Sequence, residues 1–185
     1  MFPVAITGPR LTLREFREDD LDASMAVVGD PEVTRSLSFD ARNRAEQAER
    51  LAQDITRAQT APRPDYYLAI ANDTDVLVGF IRIGLARDKS GELGYAIRRE
   101  DWNKGYATEA ATLMLDFGFN TLHLHRIQAA CGPDNHASQR LLARLAFTPE
   151  GRMRDHVFTN DAWRDSLLYS LLDHEWRSQR QALGR

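Results

Sequence analysis

A chain of 185 residues, 43% hydrophobic and 28% charged, has the length and apolar content for one domain with a sizeable core. Its net charge of −3 is spread along the chain, which excludes a general nucleic-acid binder built on clustered Lys and Arg. The one cysteine, Cys131, excludes an internal disulfide framework and a cysteine-based metal site. The opening MFPVAITGPRLTLREF lacks the basic-then-apolar pattern of a signal peptide, and no stretch reaches the roughly 20 apolar residues of a membrane span. The expectation is a cytoplasmic protein with no membrane partner and no direct nucleic-acid partner.

In chain order, LTLREF (11–16) alternates as a first strand. Asp19 and Asp20 offer N-caps for a helix with Leu21, Met25 and Val28 on one face. Residues 30–39 read as a loop. Residues 41–59 read as a helix that the prolines of APRPD (61–65) stop. YYLAIA (66–71) and VLVGFIRIGL (76–85) flank NDTD as an antiparallel hairpin, and GELGYAI (91–97) adds a third strand. A helix over 108–119 buries Ala110, Leu113, Met114 and Phe117. A strand at 126–131, a helix at 135–147 and a final strand at 163–172 follow, with 175–185 as a frayed tail. The order β-α-α-β-β-β-α-β-α-β-β predicts one domain, residues 1–185, of mixed α/β (α+β) class. Its mixed sheet carries helices on both faces.

The segment WNKGYATEA (102–110) draws attention because it opens a crossover helix. A helix start carries unpaired N–H groups and a partial positive charge, and glycine lets an anion approach the backbone. The spacing is neither a Walker A loop nor a dinucleotide fingerprint. A plain capped helix start is the competing reading. A second helix start, with Asn135 and Ser138, follows the next strand of the same direction, so both starts share one sheet edge. Two such starts beside parallel strands suit a long, phosphate-bearing ligand, although Asn135 also reads as a simple N-cap.

These residues resemble the GNAT superfamily of acetyl-CoA-dependent N-acetyltransferases, and within it the RimJ/RimL-like branch of ribosomal-protein N-terminal acetyltransferases. The likeness covers nearly the whole chain. It runs through PRLTLREFREDDLDA, GELGYAIRREDWNKGYATEA, NHASQRLLARLAF, EGRMRDHV and WRDSLLYSLLDHEW. Two positions depart from the pattern: Asn103 stands at a frequent glycine, and Ala146 replaces the usual glycine before Phe147.

The resemblance implies a mostly antiparallel sheet of about seven strands with a splayed parallel pair. It implies acetyl-CoA as cosubstrate, no metal, and direct attack of a primary amine on the thioester. The backbone of Ile97, Arg98 and Arg99 would bond the pantetheine amides. The N–H groups of Lys104, Gly105, Tyr106, Ala107 and Thr108 would hold the pyrophosphate. Asn135 would hold the pantetheine arm from the other side, and Arg99 and Arg140 are candidates for the 3′-phosphate. An N–H near Ile97 would stabilise the oxyanion. Ser138 would protonate the leaving thiolate, or is simply a first-turn serine. Glu92, beside the small Gly94 and Ala96, is the first candidate base; Asp155 and His156 are the alternatives. The acceptor would be a protein N-terminus, ribosomal in the RimJ/RimL-like branch, or a small-molecule amine. Asp30, Glu32, Asp40 and Asp161 suggest a cationic one. A homodimer stays open, as does a CoA-binding sensor module without chemistry.

Overall fold

Alternation of apolar side chains builds one sheet with two covered faces. The structure, a computed structural model, describes residues 1–183. Its strands are β1 (Ala5–Thr7), β2 (Thr12–Arg14), β3 (Asp65–Ala71), β4 (Leu77–Leu85), β5 (Ser90–Ile97), β6 (Arg126–Cys131), β7 (Thr148–Thr159) and β8 (Ala162–Leu172). Its helices are α1 (Leu21–Val28), α2 (Pro31–Thr34), α3 (Arg44–Ala58), α4 (Tyr106–Asp116), α5 (His136–Arg144) and α6 (Asp173–Leu183). The eight strands lie in the order β1-β2-β3-β4-β5-β6-β8-β7. Every neighbouring pair is antiparallel except β5 and β6, which the α4 crossover makes parallel.

Two cores follow from the two faces. On one, Leu68, Ile81, Ile83, Leu93 and Ile127 of the sheet meet Ala110 and Met114 of α4 and Leu142 of α5. On the other, Ala69, Phe80 and Ala96 meet Val27 and Val28 of α1 and Leu51 of α3. The central β4 is buried on both faces, so its sequence is an unbroken apolar run apart from Arg82. Strand β5 alternates instead, which leaves Glu92 and Gly94 exposed on the α1/α3 face.

Several sequence expectations shift. The sheet has eight strands, because AIT at 5–7 pairs with β2; three residues are too short to show a period. The loop at 30–39 holds the short α2, capped by Asp30. Asp20 does not cap α1 with its side chain. Its carboxylate grips the Arg14 guanidinium with two bonds of 2.8 Å and accepts from the Arg17 N–H, in a buried pair.

The segment after β8 is not frayed through residue 183. It forms α6, anchored by Trp176, which is 2% exposed and donates its indole N–H to Asp116 at 2.9 Å. Residues 184 and 185 of the expected tail lie outside the described part. Among the described residues, no helix is long and apolar enough to cross a membrane.

Candidate active site

The site begins where two parallel strands part. Pairing of β5 with β6 runs only from Ser90↔Arg126 to Leu93↔Ala129, yet β5 continues to Ile97 and β6 to Cys131. A gap therefore opens beyond Leu93. Gly94 stands at its mouth, and a Cβ there would meet nothing within 4 Å. Arg98 donates its N–H to Val78 on the β4 side at 2.9 Å. Successive N–H groups of a strand point to opposite edges, so those of Ile97 and Tyr95 point into the gap. The gap leads into a cavity of about 530 Å³, walled by Tyr95, Ile97, Gly105, Thr108, Asn135 and Ser138 among others.

The WNKGYATEA loop closes one end of that cavity. Gly105 takes φ +81° and Asn103 φ +62°, both left-handed. At Gly105 this conformation strains nothing, because glycine has no Cβ. Asn103 accepts the same conformation at its departure from the family pattern, and asparagine is among the residues that tolerate it best. No side chain caps α4; its first helical bond runs from Glu109 N–H to the Gly105 carbonyl. The loop's Gly105, Tyr106, Ala107 and Thr108 line the open cavity at the uncapped start of α4.

Arg10, outside the loop, braces it together with Glu109 in the first turn of α4, and sequence reasoning gave neither a role. Arg10 donates through Nη1 to the Lys104 carbonyl at 2.9 Å and through Nε to Glu109 at 2.7 Å. Its guanidinium also lies over the Tyr106 ring. Glu109 accepts in addition from the N–H groups of Arg10 and Leu11. The separation of about a hundred residues between Arg10 and α4 hides this clasp from any local pattern.

The other wall comes from α5. Here a cap does exist: Asn135 Oδ1 accepts from the Ser138 N–H at 3.0 Å. Ser138 Oγ shares a 2.7 Å hydrogen bond with the hydroxyl of Tyr95, across the gap on β5. Burial pushes the Tyr95 phenol up to about 12 and raises the Cys131 thiol, so both stay protonated near neutral pH. A protonated, buried Cys131 is a poor nucleophile. Arg140 also lines the cavity.

The family follows from comparison with known proteins. Residues 10–148 match the family described as acetyltransferase (GNAT) domain. The chain belongs to the GNAT acetyltransferase family. An uncharacterized N-acetyltransferase, p20 of Bacillus licheniformis, is 32% identical over 169 residues, covering 90% of this chain and 95% of that one. The ribosomal protein uS5-alanine N-acetyltransferase of Escherichia coli is 39% identical over 84 residues, 45% of this chain and 43% of that one. Mycobacterium smegmatis RimJ in complex with CoA-disulfide shares the fold with a TM-score of 0.83 at 26% identity, over 100% of this chain and 96% of that one. As a GNAT enzyme the chain is an acetyl-CoA-dependent N-acetyltransferase, and the mixed sheet with one splayed parallel pair is the GNAT fold.

The remaining candidates in this GNAT chain divide by location. Gly105, Tyr106, Ala107, Thr108, Asn135, Ser138, Arg140 and Ile97 line the cavity; Lys104, Arg98 and Arg99 do not. Lys104 turns its ammonium to Asp101 at 2.7 Å. Arg98 spends its N–H on Val78 and its carbonyl on Asp101, so its backbone is committed before any ligand arrives. The Ile97 carbonyl accepts from the Trp102 indole at 2.7 Å, which leaves its N–H toward the gap. Arg99 reaches Asp30 at 3.4 Å.

Glu92 is exposed beside Gly94, outside the cavity, on the α1/α3 face. His156 Nδ1 lies 3.0 Å from Ser166 Oγ, and the Asp155 N–H donates to Asp165 on β8. Neither lines the cavity. Of the acids expected to attract a cationic acceptor, Asp30 pairs with Arg99, Glu32 with Arg35, and Asp40 accepts from the Asn160 N–H. Asp40 keeps its charge, since its donor is a neutral N–H, and neither Asp40 nor Asp161 has an ion-pair partner among the described residues. Among the described residues, no group of three or more His, Cys, Asp or Glu is arranged to hold a metal.

Proposed function

We propose that this chain works as a single catalytic domain that acetylates the α-amine of a protein N-terminus. The cavity holds acetyl-CoA and the open α1/α3 face beside Gly94 receives the acceptor. The observation that carries the reading is the gap beyond Leu93, where pairing stops while both strands continue. A thioester threaded there is reachable by an amine from the side where Gly94 leaves open space.

In this reading the pyrophosphate sits on the N–H groups from Gly105 to Thr108. Pantetheine runs along the Ile97 edge as a further strand would, opposite Asn135. The neutral amine attacks the carbonyl carbon, and the N–H of Ile97 meets the developing oxyanion. Glu92 takes the proton of the attacking amine through water. An α-amine with pKa ~8 asks less of a base than a lysine at ~10.4. Ser138 donates a proton to the departing thiolate. The Escherichia coli relative is a ribosomal protein uS5-alanine N-acetyltransferase, and the one acetylatable nitrogen of a protein alanine is a chain-terminal α-amine, which supports an N-terminal acceptor. A reducing cytoplasm suits the single free Cys131.

The test is a thiol-release assay with acetyl-CoA against a mixed library of peptide N-termini, lysine-containing peptides with blocked N-termini, and small amines, with products read by mass spectrometry. Acetylation on peptide α-nitrogen is expected. Turnover confined to small amines or lysine side chains overturns the N-terminal assignment.

A further inference from the structure

Tyr95 carries a hydroxyl that neither the motif nor the family pattern accounts for. It stands on β5 inside the gap and reaches Ser138 on α5 with a 2.7 Å hydrogen bond. We infer that Tyr95 is a positioning residue for the thiolate-leaving step: its hydroxyl donates to Ser138 Oγ and so turns the serine's own proton into the cavity. The inference rests on Ser138 being the donor to sulfur.

Either oxygen can donate in this bond, and the inference takes the tyrosine as the donor. Two polar groups face Ser138 Oγ, the Tyr95 hydroxyl and the Cys131 thiol. Both keep their protons near neutral pH, because burial disfavours phenolate and thiolate. Neither is therefore an anion that would capture the Ser138 proton. The serine N–H is already spent on Asn135 Oδ1, which fixes the first turn of α5 and with it the Cα–Cβ direction of Ser138. With the tyrosine as donor, backbone held by Asn135 and oxygen held by Tyr95 leave the Ser138 O–H to choose between the weakly accepting Cys131 sulfur and the cavity it lines. A serine alone would spread its hydroxyl over three staggered positions. Tyr95 selects among them in advance, which is worth most when the group must meet charge that appears only in the transition state.

The chemistry balances. The C–N bond forms as the C–S bond breaks, and the electron pair of the latter stays on sulfur. Ser138 gives sulfur its proton. The proton shed by the acceptor nitrogen goes to Glu92 through water, and Ser138 recovers its own from solvent, so one proton leaves nitrogen and one arrives on sulfur.

The experiment uses the full chain, hydroxylamine as acceptor so that acceptor identity does not enter, and single-turnover transfer from bound acetyl-CoA. Tyr95→Phe keeps the ring that packs in the core and deletes one oxygen; a melting curve and the Kd for CoA check the fold. Expected are a transfer rate lowered about tenfold with Kd within twofold, a rate for Ser138→Ala lowered about a hundredfold, and a double variant no slower than Ser138→Ala alone. A purely structural tie would move melting and Kd and leave the rate. If Ser138→Ala is slow while Tyr95→Phe transfers at the wild-type rate, or if the two losses multiply, the role of Tyr95 is overturned and Ser138 stands. If Ser138→Ala transfers at the wild-type rate, the serine assignment falls and the inference with it.

Discussion

Replacing Gly105 by alanine tests the phosphate cradle through a quantity the backbone sets. Gly105 sits at φ +81°, where an L-residue pays about 1–2 kcal/mol. The added Cβ would lie 3.4 Å from Arg10 Nη2, an ordinary contact, so the cost is conformational and not a clash. The bound enzyme must carry that cost in one of two ways. If the free loop keeps its shape, the strain lowers folding stability, and a domain of this size loses about 2–8 °C in Tm. If the free loop relaxes, stability is spared and CoA pays to restore the loop, which raises Kd about 5- to 30-fold. The two losses add to the same about 1–2 kcal/mol. Thermal melts with and without CoA, together with calorimetric titration, measure both. Acetyl-pantetheine, which lacks the pyrophosphate, is the control: its affinity should not share the rise. Unchanged melting together with unchanged Kd, or an equal rise for acetyl-pantetheine, refutes the placement of the pyrophosphate on this loop.

Other expectations follow from the same coordinates. Ala146 ends α5 at φ +60° with its methyl exposed, so Ala146→Gly should raise Tm by about 1–4 °C, as the strain relieved exceeds the chain entropy glycine adds. Trp176→Ala should cost about 3–5 kcal/mol in denaturant unfolding, because the indole is buried against the core and bonded to Asp116; a cost under 1 kcal/mol would return α6 to the status of a tail. Arg14→Met should lose about 3–5 kcal/mol by stranding the buried Asp20 carboxylate, and Asp20→Asn in that background should recover part of it. Arg126 and Ser170 hold the Glu150 carboxyl down at about 2, below its unfolded value of 4.5. The stability this supplies is present above pH ~4.5 and is lost as pH falls toward 2. Since the pair is partly open to solvent, Glu150→Gln should reduce the acid-side loss by about 1 kcal/mol at most, seen as a smaller difference between melts at pH 6 and pH 3.

The order of elements, the hairpins and the crossover were legible in the chain because each is local. Strand alternation, helical stripes and proline stops act over ten residues or fewer. The WNKGYATEA loop was legible for the same reason: glycine and an uncapped helix start are properties of adjacent residues. Even the strained Ala146 could be singled out, because the family pattern the chain resembles places glycine there. Tertiary structure decided what depended on distance along the chain. Arg10, near the start of the chain, clasps the loop through Glu109, 99 residues away in sequence. Trp176 turns a polar tail into a seated helix by finding Asp116. Arg14 takes Asp20 away from its capping role. The parting of β5 from β6 beyond Leu93 and the meeting of Tyr95 with Ser138 exist only once the crossover has brought those strands side by side. A pattern of residues can state which chemistry is on offer; only packing states which of those groups are already spent on one another, and so which remain for a ligand.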